Sequence, residues 1–151
     1  MAGVDPHFEN LEAWVSAGVR SSVPMAELHT MFDHAFSSVA AAAAGAGAVL
    51  VGPAYAEYFG MPTDVVDVEI GFGVDRVVEI PGVTVTQRPA MAAAVGTHVG
   101  PYDTLSDSYA ELMPWLEEQQ VELTGSMFEF YLSEPDEDPA TTVTRLVFPL
   151  A

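Results

Sequence analysis

The stretch MFEFYL, residues 127–132, places one carboxylate, Glu129, inside a run of aromatic and aliphatic side chains. Side chains of a strand alternate between its two faces. Phe128, Phe130 and Leu132 share one face, and their apolar character assigns that face to the helices. Met127, Glu129 and Tyr131 share the other, which this sorting leaves as an open face. A partly desolvated carboxylate beside aromatic rings suits a lipophilic cation or a flat, polarisable molecule. Methionine adapts to irregular shapes. A glutamate in apolar surroundings also has its pKa pushed up by desolvation, which fits it for general acid or base work. A nearby tyrosine such as Tyr131 could then donate a proton to a developing oxyanion. The plainer alternative is a solvated Glu129 on an open sheet face, with Tyr131 as surface cover.

Other chemistries find less support. The chain has no cysteine, which removes disulfide frameworks and thiolate metal sites. His29 and His34 are five apart on a helix, off the same-face spacing that metal binding uses. His34 follows Asp33 and reads as solvated; His98 reads as a join between strand and helix. A haem site would need an axial histidine in the pocket, and none is placed there. GAGAVLVG has glycines but follows a helix, unlike a phosphate loop. The expectation is no metal and no cofactor.

The elements that must hold this cluster follow from periodicity. Residues 25–44 carry Leu28, Phe32, Ala35, Phe36, Val39 and Ala43 at helical spacing. Pro24 and Glu27 suit its start, and Gly45 and Gly47 its end. Residues 105–120 form a second helix with a stripe of Leu105, Tyr109, Leu112 and Leu116. TLSD resembles a capping box at its start, and Pro114 predicts a kink or break. Trp115 reads as core. VDVEIGFGV alternates strictly, with Val66, Val68, Ile70, Phe72 and Val74 on one face. TTVTRLVFPL puts Leu146, Phe148 and Leu150 together. WVSAGV, AYAEYF, VTVTQR, AAAVGTHV and MFEFYL read as further strands, and SEPDEDPA as an acidic hairpin loop.

The two halves of the chain also match. A shift of 77 carries Pro24, Leu28, Phe32 and Ala35 onto Pro101, Leu105, Tyr109 and Leu112. A shift of 73 carries Tyr55 and Tyr58 onto Phe128 and Tyr131, and a shift of 76 carries Ile70 and Phe72 onto Leu146 and Phe148. The expectation is an α+β domain over residues 1–151, with a duplicated β-α-β-β unit in halves 13–80 and 83–151 and pseudo-twofold symmetry. Both helices would cover one face of an antiparallel sheet, leaving a ligand cleft on the other. Under the 73 shift Ala56 is the counterpart of Glu129, so the expected cleft holds Glu129, Tyr131, Met127, Tyr58 and Ala56. A shift of 72 would pair Glu57 with Glu129 instead; two matching aromatic positions favour 73.

Four arginines and no lysine stand against 22 acidic residues, a net charge of −18 over 151 residues. That argues against direct nucleic-acid binding and against anionic membrane surfaces. An acidic field draws cations, although acidic surfaces also serve solubility alone. The N-terminus lacks a signal-peptide pattern, and the apolar run 39–51 is too short to span a bilayer. A cytoplasmic protein is expected.

Three stretches resemble the GyrI-like, or effector-binding, domain family. THVGPYDTLSDSYAELMPWLEEQ is similar to the family's H-x-G-P-Y-x-x-L-x-x-x-Y-x-x-L-x-x-W-L pattern through His98, Gly100, Pro101, Tyr102, Leu105, Tyr109, Leu112, Trp115 and Leu116. FEFYLSEPDEDPATTVTRLVFPL is similar to its W-E-x-Y-L ending, with Phe128 in place of the tryptophan. GPAYAEYFGMPTDVVDVEIGFGV is the third, and RSSVPMAELHTMF fits the first helix more loosely. The resemblance spans roughly residues 15–151. It implies the duplicated fold, and a small-molecule pocket whose acidic residue is Glu129, with Tyr131 two positions on. About fourteen residues precede the first matched strand, which disfavours a DNA-binding regulator. The leading expectation is a stand-alone binder of hydrophobic, cationic or aromatic molecules, in the manner of multidrug recognition. The resemblance also implies two alternatives: a hydrolase of reactive cyclopropane-type compounds using Glu129 and Tyr131, and a protein inhibitor of the gyrase-inhibitor type.

Overall fold

The computed structural model describes residues 3–60, 64–133 and 138–151; part of the expected acidic loop, 134–137, lies outside them. Along the chain run β1 (His7–Leu11), β2 (Trp14–Pro24), α1 (Leu28–Gly45), β3 (Leu50–Phe59), β4 (Val65–Val74), β5 (Thr84–Arg88), β6 (Met91–Val99), α2 (Leu105–Gln119), β7 (Ser126–Tyr131) and β8 (Val143–Pro149). The fold is α+β, and every pairing described among these strands is antiparallel. The chain forms two compact units, Glu12–Ala90 and Met1–Leu11 with Met91–Ala151.

In the first unit the strands run in the order β5-β2-β4-β3. The alternation of β4 is realised: Val66, Val68, Ile70 and Val74 are buried. Phe72 lies on the same face and meets Phe36 of α1, ring centroids 5.5 Å apart. Helix α1 buries Ala35, Val39 and Ala43, one every fourth residue, and Val39 and Ala43 cluster with Ala17, Val74 and Ile80. The opposite face of β4 carries Gly71, where any Cβ would run into the Ala17 carbonyl of β2. A Cβ at Gly18 would lie 2.5 Å from the Tyr55 hydroxyl, so glycine there makes room for that ring.

The second unit repeats the plan as β6-α2-β7-β8, with β1 added beside β6 in the order β1-β6-β8-β7. Strand β1 escapes the periodicity reading because HFENL mixes polar and apolar residues. Leu112 and Leu116 of α2 pack on Ala94, Leu146, Phe148 and Val4. Phe8 brings β1 against Trp115, centroids 5.1 Å apart. Helix α2 continues through Pro114, so the expected break is not there. The capping box also fails to form. Thr104 donates instead to the Pro101 carbonyl at 2.8 Å, because the chain enters α2 through a 3-10 turn, Tyr102–Thr104, that keeps Thr104 out of the extended cap conformation.

Candidate functional site

Glu129 is turned toward the helix, not away from it. Its register partner on β8 is Leu146, a member of the cluster that α2 buries. Met127, two residues earlier, packs on that cluster. Tyr109 reaches down from α2 and donates to Glu129 Oε2 at 2.5 Å. This corrects the expected sorting of the strand: Met127, Glu129 and Tyr131 form the helix side, and Phe128 and Phe130 form the other. Those two rings stack on one another, 5.4 Å apart and 11° from parallel. Polarity misassigned the faces because both are covered at the middle of β7: Phe128 is 3% exposed and Glu129 6%.

The carboxylate sits in a ring of phenols. Tyr131 donates to Oε1 at 2.7 Å, and Tyr109 to Oε2. The same Tyr109 hydroxyl lies 3.7 Å from the Met127 sulfur. Tyr102, half-exposed on the turn before α2, meets Tyr131 edge-on with centroids 5.7 Å apart. Burial raises the Tyr102 pKa above that of an ordinary phenol, and the negative charge of Glu129 adds to the rise. Each carboxylate oxygen thus accepts from a phenol. Neutral phenols hold a carboxylate without cancelling its charge. The site therefore gathers one buried carboxylate and three tyrosines.

The segment bearing Tyr102 and Tyr109 is fastened by His98. Its Nε2 lies 2.9 Å from the Pro101 carbonyl oxygen, which can only accept, and its Nδ1 lies 2.6 Å from Ser108 Oγ on α2. In the neutral ring Nε2 thus carries the proton and Nδ1 accepts from the serine. His98 joins strand to helix, as the sequence suggested.

Ala56 and Tyr58 lie in the other unit. Ala56 is fully buried opposite Ile70, and Tyr58 lies opposite Val68, so both are on the α1 side of β3 rather than on a face open to solvent. The register bears out the 73 shift: Ala56 faces Ile70 as Glu129 faces Leu146. Glu57 points the opposite way. It is directly across from Glu69, and Arg88 lies between them, Nη1 2.9 Å from Glu57 and Nη2 2.7 Å from Glu69. Arg88 Nε donates to Ser16, and Tyr55 donates to Glu69 at 2.6 Å. Burial pulls the Arg88 pKa down, but Glu57 and Glu69 outweigh it and leave it raised; burial and then Glu69 raise Tyr55. His29 and His34 are exposed, His29 lying 3.8 Å from Asp33. Among the described residues no three His, Cys, Asp or Glu side chains group as a metal site.

Tyr109 is the member that sequence reasoning missed, having absorbed it into an apolar stripe. The repeat held the signal. Phe32 and Ala56 of one unit become Tyr109 and Glu129 of the other, so a hydroxyl and a carboxylate appear together at matched positions. Tyr109→Phe should cost about 1.5–3 kcal/mol of stability, the range for a hydrogen bond to a buried charged group. Urea denaturation measures it; an unchanged midpoint and slope would mean the bond contributes nothing.

A family model described as the GyrI-like small molecule binding domain matches residues 5–151. The fold is similar to the C-terminal domain of EcmrR, at 22% identity and a TM-score of 0.84 over 97% of both chains. It is also similar to SAV2435 bound to tetraphenylphosphonium, at 11% identity and a TM-score of 0.73 over 97% of this chain and 94% of that one. A hydrolase from Listeria innocua is similar at 13% identity and a TM-score of 0.61, over 100% and 94%. At these identities the likeness is one of fold. No curated protein gives a significant match. No helix among the described residues is long and apolar enough to cross a membrane.

Proposed function

We propose that this chain, which belongs to the GyrI-like small-molecule-binding domain family, holds hydrophobic organic cations at Glu129 and serves to sense or sequester them. One observation carries the reading: a 6% exposed carboxylate that accepts from the hydroxyls of Tyr109 and Tyr131. A bound cation would supply the counter-charge, and the tyrosine faces would accept its aryl groups. Because Glu129 is buried, a ligand reaching it must displace at least one phenol; half-exposed Tyr102 is the outermost of them. The fold likeness to SAV2435, solved with tetraphenylphosphonium, agrees with a site of this chemistry.

Calorimetric titration with tetraphenylphosphonium and with neutral triphenylphosphine oxide tests the reading. The cation should bind roughly 10-fold or more tightly, a difference of about 1.4 kcal/mol, within reach of one desolvated cation–aromatic contact. It should also raise the melting temperature, as any ligand preferring the folded state does. Equal affinities would remove the charge from the argument. A hydrolytic reading uses the same atoms, with Glu129 orienting water and Tyr131 supplying a proton, and the 2.7 Å bond between them is what favours it. The two readings part on whether an electrophilic cyclopropane probe is turned into product.

A further inference from the structure

Thr144 lies on β8 directly opposite Tyr131 on one side and His98 on the other, which places it on the α2 face with Glu129. It is fully buried, yet its hydroxyl has no hydrogen-bond partner among the described residues. Burying a hydroxyl unpaired is costly, and most buried polar side chains in folded proteins find a partner. Its neighbours deepen the anomaly. Tyr131 spends its hydroxyl on Glu129, and both His98 nitrogens are occupied by Ser108 and Pro101. The wall beside the phenol cluster thus contains one unused donor and acceptor. Diagonal neighbours on adjacent strands, as Thr144 and Glu129 are, stand about 7–8 Å apart. That is about the span of one aromatic ring with its substituent.

We propose that Thr144 is a second, neutral anchor of the Glu129 site, selecting aryl cations that carry a hydrogen-bonding group about one ring away from the positive centre. The inference rests on the cation-binding reading and adds a substrate class to it. The carboxylate answers the charge, and the threonine answers a hydroxyl or amine at the far edge of the ring.

The test compares tetraphenylphosphonium with (4-hydroxyphenyl)triphenylphosphonium, which differ by one hydroxyl at that distance. Wild-type protein should prefer the hydroxylated cation by about 3- to 10-fold, the worth of one neutral hydrogen bond. Thr144→Val, which keeps the shape and removes the hydroxyl, should abolish the preference. Thr144→Ser should retain the preference. No preference in the wild type, or one that survives Thr144→Val, overturns the proposal. Failure of the parent reading looks different: Glu129→Gln would then leave both affinities untouched, whatever Thr144 does.

Discussion

Glu129→Gln should weaken tetraphenylphosphonium binding by roughly 10- to 100-fold and leave the binding of a neutral triaryl compound within about 2-fold. The substitution is nearly isosteric. The amide oxygen can still accept from one phenol, and the amide nitrogen can donate to the oxygen of the other, so Tyr109 and Tyr131 keep partners. What disappears is the charge. A hydrogen-bonded or paired charged group contributes about 1.5–3 kcal/mol against 0.5–1.5 for a neutral one. The loss should fall on cations alone. The site is desolvated, so it should also depend weakly on salt, unlike attraction to the acidic surface as a whole. Titration of both compounds at low and high ionic strength reads these effects together. A loss shared equally by the cation and the neutral compound would mean that Glu129 shapes the cavity without acting as its counter-charge.

Much of the frame was legible because it is written in local periodicity. The strict alternation of β4 and the four-residue spacing of Ala35, Val39 and Ala43 each require only neighbours along the chain. The repeat carried the reading further, matching Ala56 to Glu129 before any register was known. Legibility failed where polarity had to stand in for position. Sorting β7 by apolar character assumes that only one face is covered, and Glu129 violates the assumption by having a partner on the helix. A tyrosine in a helical stripe reads as bulk until something shows where its hydroxyl goes. The Thr144 hydroxyl is silent for the same reason, since a missing partner is a property of three dimensions. The cluster around Arg88 was invisible too. Its members come from β2, β3, β4 and β5, and pairing across strands leaves no mark in the alternation of any one of them.

That cluster governs the second large effect. Arg88→Met should destabilise the protein by about 3–5 kcal/mol, the range for removing one partner of a buried ion pair. The melting temperature should fall by roughly 10 °C. Glu57 and Glu69 are direct cross-strand partners, 5% and 6% exposed, and like charges so placed repel. The guanidinium bonded between them removes that repulsion, and Ser16 takes its third nitrogen. Methionine fills much of the volume, so the loss isolates charge from packing. The pH dependence fixes the cause. In the variant the two carboxylates face each other with no guanidinium between them, and protonating either one relieves the repulsion. The deficit of Arg88→Met should therefore shrink as pH falls from 7 toward 4 and be largest near neutrality. Adding Glu57→Gln and Glu69→Gln should recover most of the stability at pH 7, since a neutral cluster has no charge left to compensate. A deficit that ignores pH and survives the triple substitution would assign Arg88 to packing against Trp14, whose ring centroid lies 5.7 Å from the guanidinium carbon.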